Sequence, residues 1–280
     1  MSKTLLTILA HPDDESFGMG GTLAKYSAEG VDVHICIATD GAVGTVAEGH
    51  DATRDNLVAV RAAELDQAIA ILGGTLHKLN FRDSGYINDP ANKHPEAFIN
   101  VDTDAAVGSL VKLMRELKPD VVVTHDETGG YFHPDHIRCW EITTKAFAVV
   151  NDAEAYPDAG DPFQPARLYF AAFSNNWVKV YTRVIRLRGG DPTAQGRNKD
   201  IDMTRLGVDK SMLHATIDYR KYWDAQVAAS SMHASQGGGS GGPFRVIPKF
   251  VRKRFFAKNS FIREYPPVPE GFHEYDLFPA

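Results

Sequence analysis

The stretch Leu5-Leu6-Thr7-Ile8-Leu9-Ala10-His11-Pro12-Asp13-Asp14-Glu15 decides how the chain is read. A short apolar run that ends in imidazole and carboxylate is the pattern of a buried strand delivering polar groups to the edge of a sheet. A second stretch answers it: Asp120 to Thr124 is apolar, Gly129-Gly130 turns, and Tyr131-Phe132-His133-Pro134-Asp135-His136 follows. In both places histidine, proline and aspartate occur in that order, between the end of a strand pattern and the start of a helix pattern.

Outward from these anchors the chain alternates. Strands are expected at Thr4 to Ala10, Val31 to Thr39, Leu76 to Phe81 and Asp120 to His125. Helices are expected at Gly18 to Glu29, Asp55 to Leu72, Asp104 to Leu117 and Pro134 to Val150. Strict alternation signals an α/β fold of the Rossmann-like, doubly wound kind: a mainly parallel sheet with helices on both faces. In that order the first and fourth strands are neighbours where the winding reverses, which sets the His11 loop beside the His133 loop.

Residues 1–150 are thus expected to form the metal-binding core, and 151–280 a C-terminal extension that completes the same domain and its substrate pocket. In the extension the pattern gives strands at Arg167 to Phe173 and Val178 to Leu187, a polar excursion from Gly189 to Arg205, and a long helix from Val208 to Ser235. Gly237 to Gly242 reads as a surface loop or lid hinge.

Hydrophobic residues make up 43% and charged residues 24% of the 280, enough apolar material for a full core and no sign of wholesale disorder. A net charge of -6 argues against general nucleic-acid binding. Cys36 and Cys139 are too few for a disulfide framework and read as buried hydrophobes in a reducing compartment. The amino-terminal apolar run is too short for a signal peptide, and no stretch approaches the ~20 apolar residues of a membrane span. A cytoplasmic protein with no membrane partner is the expectation; oligomeric state is not legible.

Two imidazoles and a carboxylate are a set zinc prefers, and spare carboxylates and histidines remain for acid/base work. Each motif alone is also a good helix start, with proline in the first turn and acids facing the backbone dipole. Four histidines (11, 125, 133 and 136) at the ends of two adjacent strands favour a shared site. A non-catalytic sugar- or nucleotide-binding module is the rival, but no spaced-glycine fingerprint follows the first strand. A phosphoesterase would call for two metals and more carboxylates.

Together, Ala10-His11-Pro12-Asp13-Asp14-Glu15 and His133-Pro134-Asp135-His136 resemble the PIG-L/LmbE-like family of zinc-dependent N-deacetylases, which act on N-acetylglucosaminyl conjugates. The resemblance extends through Arg61, Glu64, Arg82-Asp83-Ser84-Gly85, Gly129-Gly130-Tyr131 and His233-Ala234-Ser235-Gln236, and within the family it points to the mycothiol-pathway deacetylase and conjugate amidase. It implies His11, Asp14 and His136 as ligands of zinc, or of ferrous iron, and Asp13 as general base. His133, if protonated, and Tyr131 would stabilise the oxyanion, with Asp135 orienting His133. Arg61 and Asp83 are candidates for holding a small amino-sugar substrate. A larger amide on a glucosaminyl thiol conjugate is the alternative substrate. Two departures stand out: Ala42 where the family carries glutamate, which removes a pocket-wall carboxylate, and Phe132 where many members have glycine, which is expected to narrow the pocket mouth.

Phe244 to Arg263 holds seven basic and no acidic residues, interleaved with phenylalanines. The expected arrangement is an amphipathic segment with its aromatics packed on the domain and its charges solvated.

Overall fold

A computed structural model describes residues 3–196, 199–238 and 248–278. The opening run forms β1 (Thr4–Leu9), whose successive side chains enter two different cores. Leu5 and Leu9 pack with Leu23, Leu65 and Ile69 on one face of the sheet, while Leu6 and Ile8 pack with Leu110, Met114 and Ile142 on the other. A strand buried on both faces is what the uninterrupted apolar run required.

The chain continues through α1 (Asp14–Gly18), α2 (Gly20–Ala28), β2 (Asp32–Thr39), α3 (Leu57–Leu72) and β3 (Thr75–Phe81). The second half of the core holds α4 (Thr103–Leu117), β4 (Val121–His125), α5 (Gly129–Phe132), a kinked turn, and α6 (Pro134–Val149). The extension holds β5 (Arg167–Ala172), α7 (Asn175–Leu187), β6 (Ala215–Asp218), α8 (Trp223–Met232), α9 (Lys249–Phe256) and β7 (Lys258–Tyr265).

The strand order is β3-β2-β1-β4-β5-β7-β6, parallel up to β5 and antiparallel at β7 and β6. Winding therefore reverses between β1 and β4, which pair directly with Ile8 opposite Thr124. Residues beyond 150 add three strands to this same sheet.

The helix expected at Gly18 to Glu29 is α2, which starts at Gly20 because Gly18 ends the separate α1. Three sequence expectations need correction. Val178 to Leu187 is helical: its β-branched residues imitate a strand, but Val178 and Thr182, four apart, are the residues that bury, and the Ser174 side chain caps the helix by accepting the Asn176 N–H. Val208 to Ser235 is not one helix but β6 followed by the shorter α8. The basic segment supplies α9 and the sheet strand β7, which sequence reading missed. Gly239 to Gly242 lies outside the described residues.

Arg115, buried at the end of α4, donates to five carbonyls of the 150–160 loop: Val150 at 2.9 Å, Tyr156 at 2.8 Å, Gly160 at 3.2 Å, Asp152 at 2.7 Å and Ala155 at 2.9 Å. One guanidinium thus satisfies a turn that would otherwise bury unpaired oxygens. Arg115→Ala is expected to cost about 3 kcal/mol of stability, read as a lower urea midpoint at unchanged slope.

Candidate active site

Both histidine motifs leave the carboxyl end of the sheet at the reversal point, where ligand sites of open α/β folds are found. His11 ends the β1 motif, and Asp14 opens α1 three residues later with its Oδ2 accepting the His11 backbone N–H at 2.8 Å. From the β4 side, α6 begins at Pro134 with His133 as N-cap, its Nδ1 accepting the Asp135 N–H at 3.2 Å. One turn into that helix, His136 points back at His11.

The three expected ligands converge. His11 Nδ1 lies 3.2 Å from His136 Nε2 and 3.6 Å from Asp14 Oδ2, and His136 Nε2 lies 3.4 Å from Asp14 Oδ1. Donors about 2.0–2.1 Å from a zinc ion stand about 3.3 Å apart when tetrahedral, so the two imidazole nitrogens suit a common divalent cation, with the Asp14 carboxylate turning one oxygen to each of them.

The rings are also oriented for it from behind. His136 Nδ1 faces the Gly129 carbonyl at 3.1 Å, and His11 Nε2 faces Asp135 Oδ2 at 3.2 Å and Asp83 Oδ1 at 3.6 Å. With protons on those outer nitrogens, each ring turns its lone pair to the shared point.

His125 stacks on His136 with centroids 3.9 Å apart and could form a set with Asp14 and His136. Its Nε2, however, accepts the Ala10 backbone N–H at 3.1 Å, so that lone pair is already used. His133 makes a further set that could hold an ion, with His11 and His136.

Asp13 sits beside this trio with φ 137°, a left-handed conformation that a non-glycine residue rarely adopts. Two contacts hold it: its N–H donates to Glu15 Oε2 at 2.9 Å, and its Oδ2 lies 3.2 Å from Arg61 Nη2. Arg61 is itself buried and donates to the carbonyls of Pro12 at 2.6 Å and Gly41 at 2.9 Å. A Cβ on Gly41 would fall 2.5 Å from that guanidinium, so glycine is required there. Arg61 therefore braces Asp13 while lining the cleft.

Behind Asp13 stands a polar network that sequence reading did not assemble. The fully buried Glu15 takes His233 Nε2 on its Oε1 at 2.7 Å, and Glu64 accepts the Ser235 N–H at 2.7 Å and hydroxyl at 2.6 Å. The histidine of the 233–236 motif is thus spent on holding the first loop, and the serine on tying the motif to α3.

Charges follow from this packing. Burial pushes the Asp13 carboxyl up to about 7, against the pull of Arg61. Burial opposes charge on Asp14 too, yet His136, His11 and His125 around it hold its carboxyl well below the usual range. Burial and the adjacent His11 push His133 down to about 3, so it is a neutral imidazole. His11 is raised despite burial, because Asp135, Asp14 and Asp83 surround it. Such a ring of carboxylates favours positive charge at the centre, which a divalent cation supplies.

Asp135 is not placed as expected: its carboxylate reaches His11 and the Ser84 N–H (2.9 Å) rather than the His133 ring. Tyr131 is delivered by Gly129 and Gly130, both at positive φ, and sets its ring edge-on to His136 at 5.0 Å. Phe132 does not narrow the cleft; it turns outward at φ 67°, under the Arg205 guanidinium.

Two cavities meet at Asp13 and Tyr131. The first, of about 220 Å³, is polar and lined by His11, Arg61, Asp83, Tyr86, Asp89 and Gln236, with Asp200 at its rim. Where Ala42 removes a carboxylate, Asp89 and Asp200 supply others; Asp200 came from the polar excursion, whose sequence carries no periodic signal. The second, of about 460 Å³, is lined by Asp14, His125 and His136 on one side and by Phe17, Phe173 and Phe261 on the other.

Comparison with known proteins places this geometry. A family model described as PIG-L: GlcNAc-PI de-N-acetylase matches residues 6–147. The 1D-myo-inositol 2-acetamido-2-deoxy-alpha-D-glucopyranoside deacetylase of Rhodococcus erythropolis is 34% identical, over 99% of this chain and 97% of that protein. Its namesake from Acidothermus cellulolyticus is also 34% identical, over 94% of this chain and 89% of its own length. Among solved structures, N,N'-diacetylchitobiose deacetylase from Pyrococcus horikoshii superposes with a TM-score of 0.63 at 21% identity, covering 94% of this chain and 84% of that one. The 4-carboxy-2-hydroxymuconate hydratase GalB from Pseudomonas putida gives 0.64 at 16%, covering 96% and 99%. A hydratase and a deacetylase on one fold show that the fold alone does not choose the chemistry.

Proposed function

The chain belongs to the PIG-L family, and we propose that it is a metal-dependent hydrolase that removes the N-acetyl group from an N-acetylglucosamine-type conjugate, with an inositol glycoside as the substrate its relatives suggest. The observation that carries this is the convergence of His11 Nδ1, His136 Nε2 and Asp14 within 3.6 Å of one another, with Asp13 adjacent but outside the set.

His11, Asp14 and His136 would hold the ion, zinc or ferrous iron. When bound, it supplies Lewis acidity that lowers the pKa of a water to ~7 and polarises the amide carbonyl. Asp13 takes the proton of the attacking water and returns it to the departing amine, a double duty suited to a carboxyl whose pKa stands near 7. Arg61 keeps that carboxylate aimed. The Tyr131 hydroxyl and the neutral His133 ring donate hydrogen bonds to the carbonyl oxygen as charge builds there. Asp83 and Asp135 hold His11 in the tautomer that leaves Nδ1 free. Asp83, Asp89 and Asp200, as acceptors along the polar cavity, suit the hydroxyls of a sugar and its polyol.

A larger amide is the second reading, favoured by one observation: the cavity of about 460 Å³ beyond Tyr131 far exceeds what an acetyl methyl fills. Incubating the protein with an N-acetylglucosaminyl inositol and with a glucosaminyl thiol-conjugate amide separates the two. Acetate release from the first, abolished by a chelator and restored by one equivalent of metal, is the expected result. Turnover of the thiol conjugate alone would transfer the assignment to the amidase, and activity that survives complete metal removal would refute both.

A further inference from the structure

The expectation that the aromatics of the basic segment pack on the domain holds for Phe261, which is fully buried, but fails for Phe250 and Phe255, which are 75% and 60% exposed on α9. A second helix shows the same character. Along α7, Trp177, Val180 and Leu187 form an outward stripe, Trp177 63% and Leu187 87% exposed. Lys179, Arg183 and Arg186 run beside them on the adjoining flank, while Val178 and Thr182 face inward. The two helices adjoin, Trp177 and Phe256 having ring centroids 6.0 Å apart.

No acidic residue occurs from Phe173 to Gly190 or from Pro248 to Lys258, in a chain whose net charge is -6. The charge is thus segregated: this face is cationic on an acidic protein. Three carboxylates answer part of it: Asp224 reaches Lys249 at 2.7 Å, Asp191 interacts with Arg186 and Asp209 with Lys179, which leaves Arg183 and the α9 arginines in excess. On the inner side of the α7 cation row, Lys179, Thr182 and Arg186 line a cavity of about 300 Å³ with Thr204 and Arg205, polar and basic and large enough for a phosphate group.

We propose that the outer faces of α7 and α9 are a docking surface for an anionic phospholipid bilayer, with headgroup phosphates beside the α7 cations and Trp177, Leu187, Phe250 and Phe255 in the interfacial layer. Exposed apolar side chains flanked by lysine and arginine on an amphipathic helix are what such a surface takes. A second copy of the chain would set cation against cation. A nucleic acid would use the charges but leave Val180 and Leu187 without a role. This is contact with a surface, not a span: no helix among the described residues is long and apolar enough to cross a membrane.

The test is sedimentation of the full chain with vesicles of phosphatidylcholine alone and with about 30% phosphatidylglycerol, at moderate salt. Partitioning is expected to be at least about tenfold stronger onto the anionic vesicles, since each lysine or arginine near such a surface is worth about fivefold. Lys179→Glu with Arg183→Glu should erase the preference, and Val180→Ser with Leu187→Ser should weaken binding about tenfold at unchanged charge. All four positions are exposed, so matching melting curves and unchanged hydrolysis in solution confirm that the variants are folded. Absence of binding, binding blind to lipid charge, or binding indifferent to the serine pair overturns the proposal; the last, joined to equal retention on a DNA duplex, would mark a polyanion site instead.

Discussion

Asp13→Ala is expected to lower kcat about a thousandfold while metal content and KM stay close to those of the parent protein. The split follows from position. Asp13 borders both cavities and touches Arg61, yet it is not among the three groups whose donor atoms converge. Removing it takes away the proton carrier and leaves the ion's cage intact. Asp13→Asn, of the same size and with the same backbone contacts, should be nearly as inactive, which excludes loss of shape as the cause. Metal analysis beside steady-state kinetics on acetate release checks it. Loss of metal from either variant, in step with activity, would reassign Asp13 as a ligand.

The second large effect is expected from His136→Ala: metal affinity and activity fall together, by about a thousandfold or more in rate, because two remaining donors hold a divalent ion poorly. The same variant should lose the rise in melting temperature that metal gives the parent chain by mass action. His125→Ala is the control. Its ring touches His136, but its Nε2 is committed to the Ala10 N–H, so the variant should keep its metal and lose only the about 10–100-fold that supporting groups command. Equal loss from both histidines would move the ion to the set built from Asp14, His125 and His136.

Much of this was legible because strong local signals and topology agreed. The apolar runs of β1 and β4 are buried on both faces, so they read as strands unaided, and alternation with helices then forced them to be neighbours. That step alone brought His11 to His136 across 125 positions of sequence. Beyond residue 150 the signals conflicted. In α7, valine, threonine and isoleucine favour a strand locally, and only the burial of Val178 and Thr182 against the domain decides for helix. β7 was hidden because its charged residues lie on a strand that joins the sheet between β5 and β6. The role of Asp135 was misread because sequence adjacency suggested His133, whereas the first turn of α6 swings the carboxylate towards His11. Arg61 is expected from the sequence to hold substrate, and its bonds to the Pro12 and Gly41 carbonyls, with its approach to Asp13, add contacts that only the folded chain reveals.

The pairing of Glu15 with His233 has a bearing on when the catalytic loop is finished. The carboxylate that holds the Asp13 amide is capped by a residue 218 positions later, and both partners are sealed from solvent. As the polypeptide leaves the ribosome, the opening motif is made well before its brace, which follows 218 positions later. Until then Glu15 must remain hydrated, and the tight loop around Asp13 lacks the anchor that keeps its backbone in place. A nascent chain that has not yet reached His233 therefore carries every ligand of the proposed ion without a completed catalytic carboxylate, so that hydrolytic competence waits for that residue.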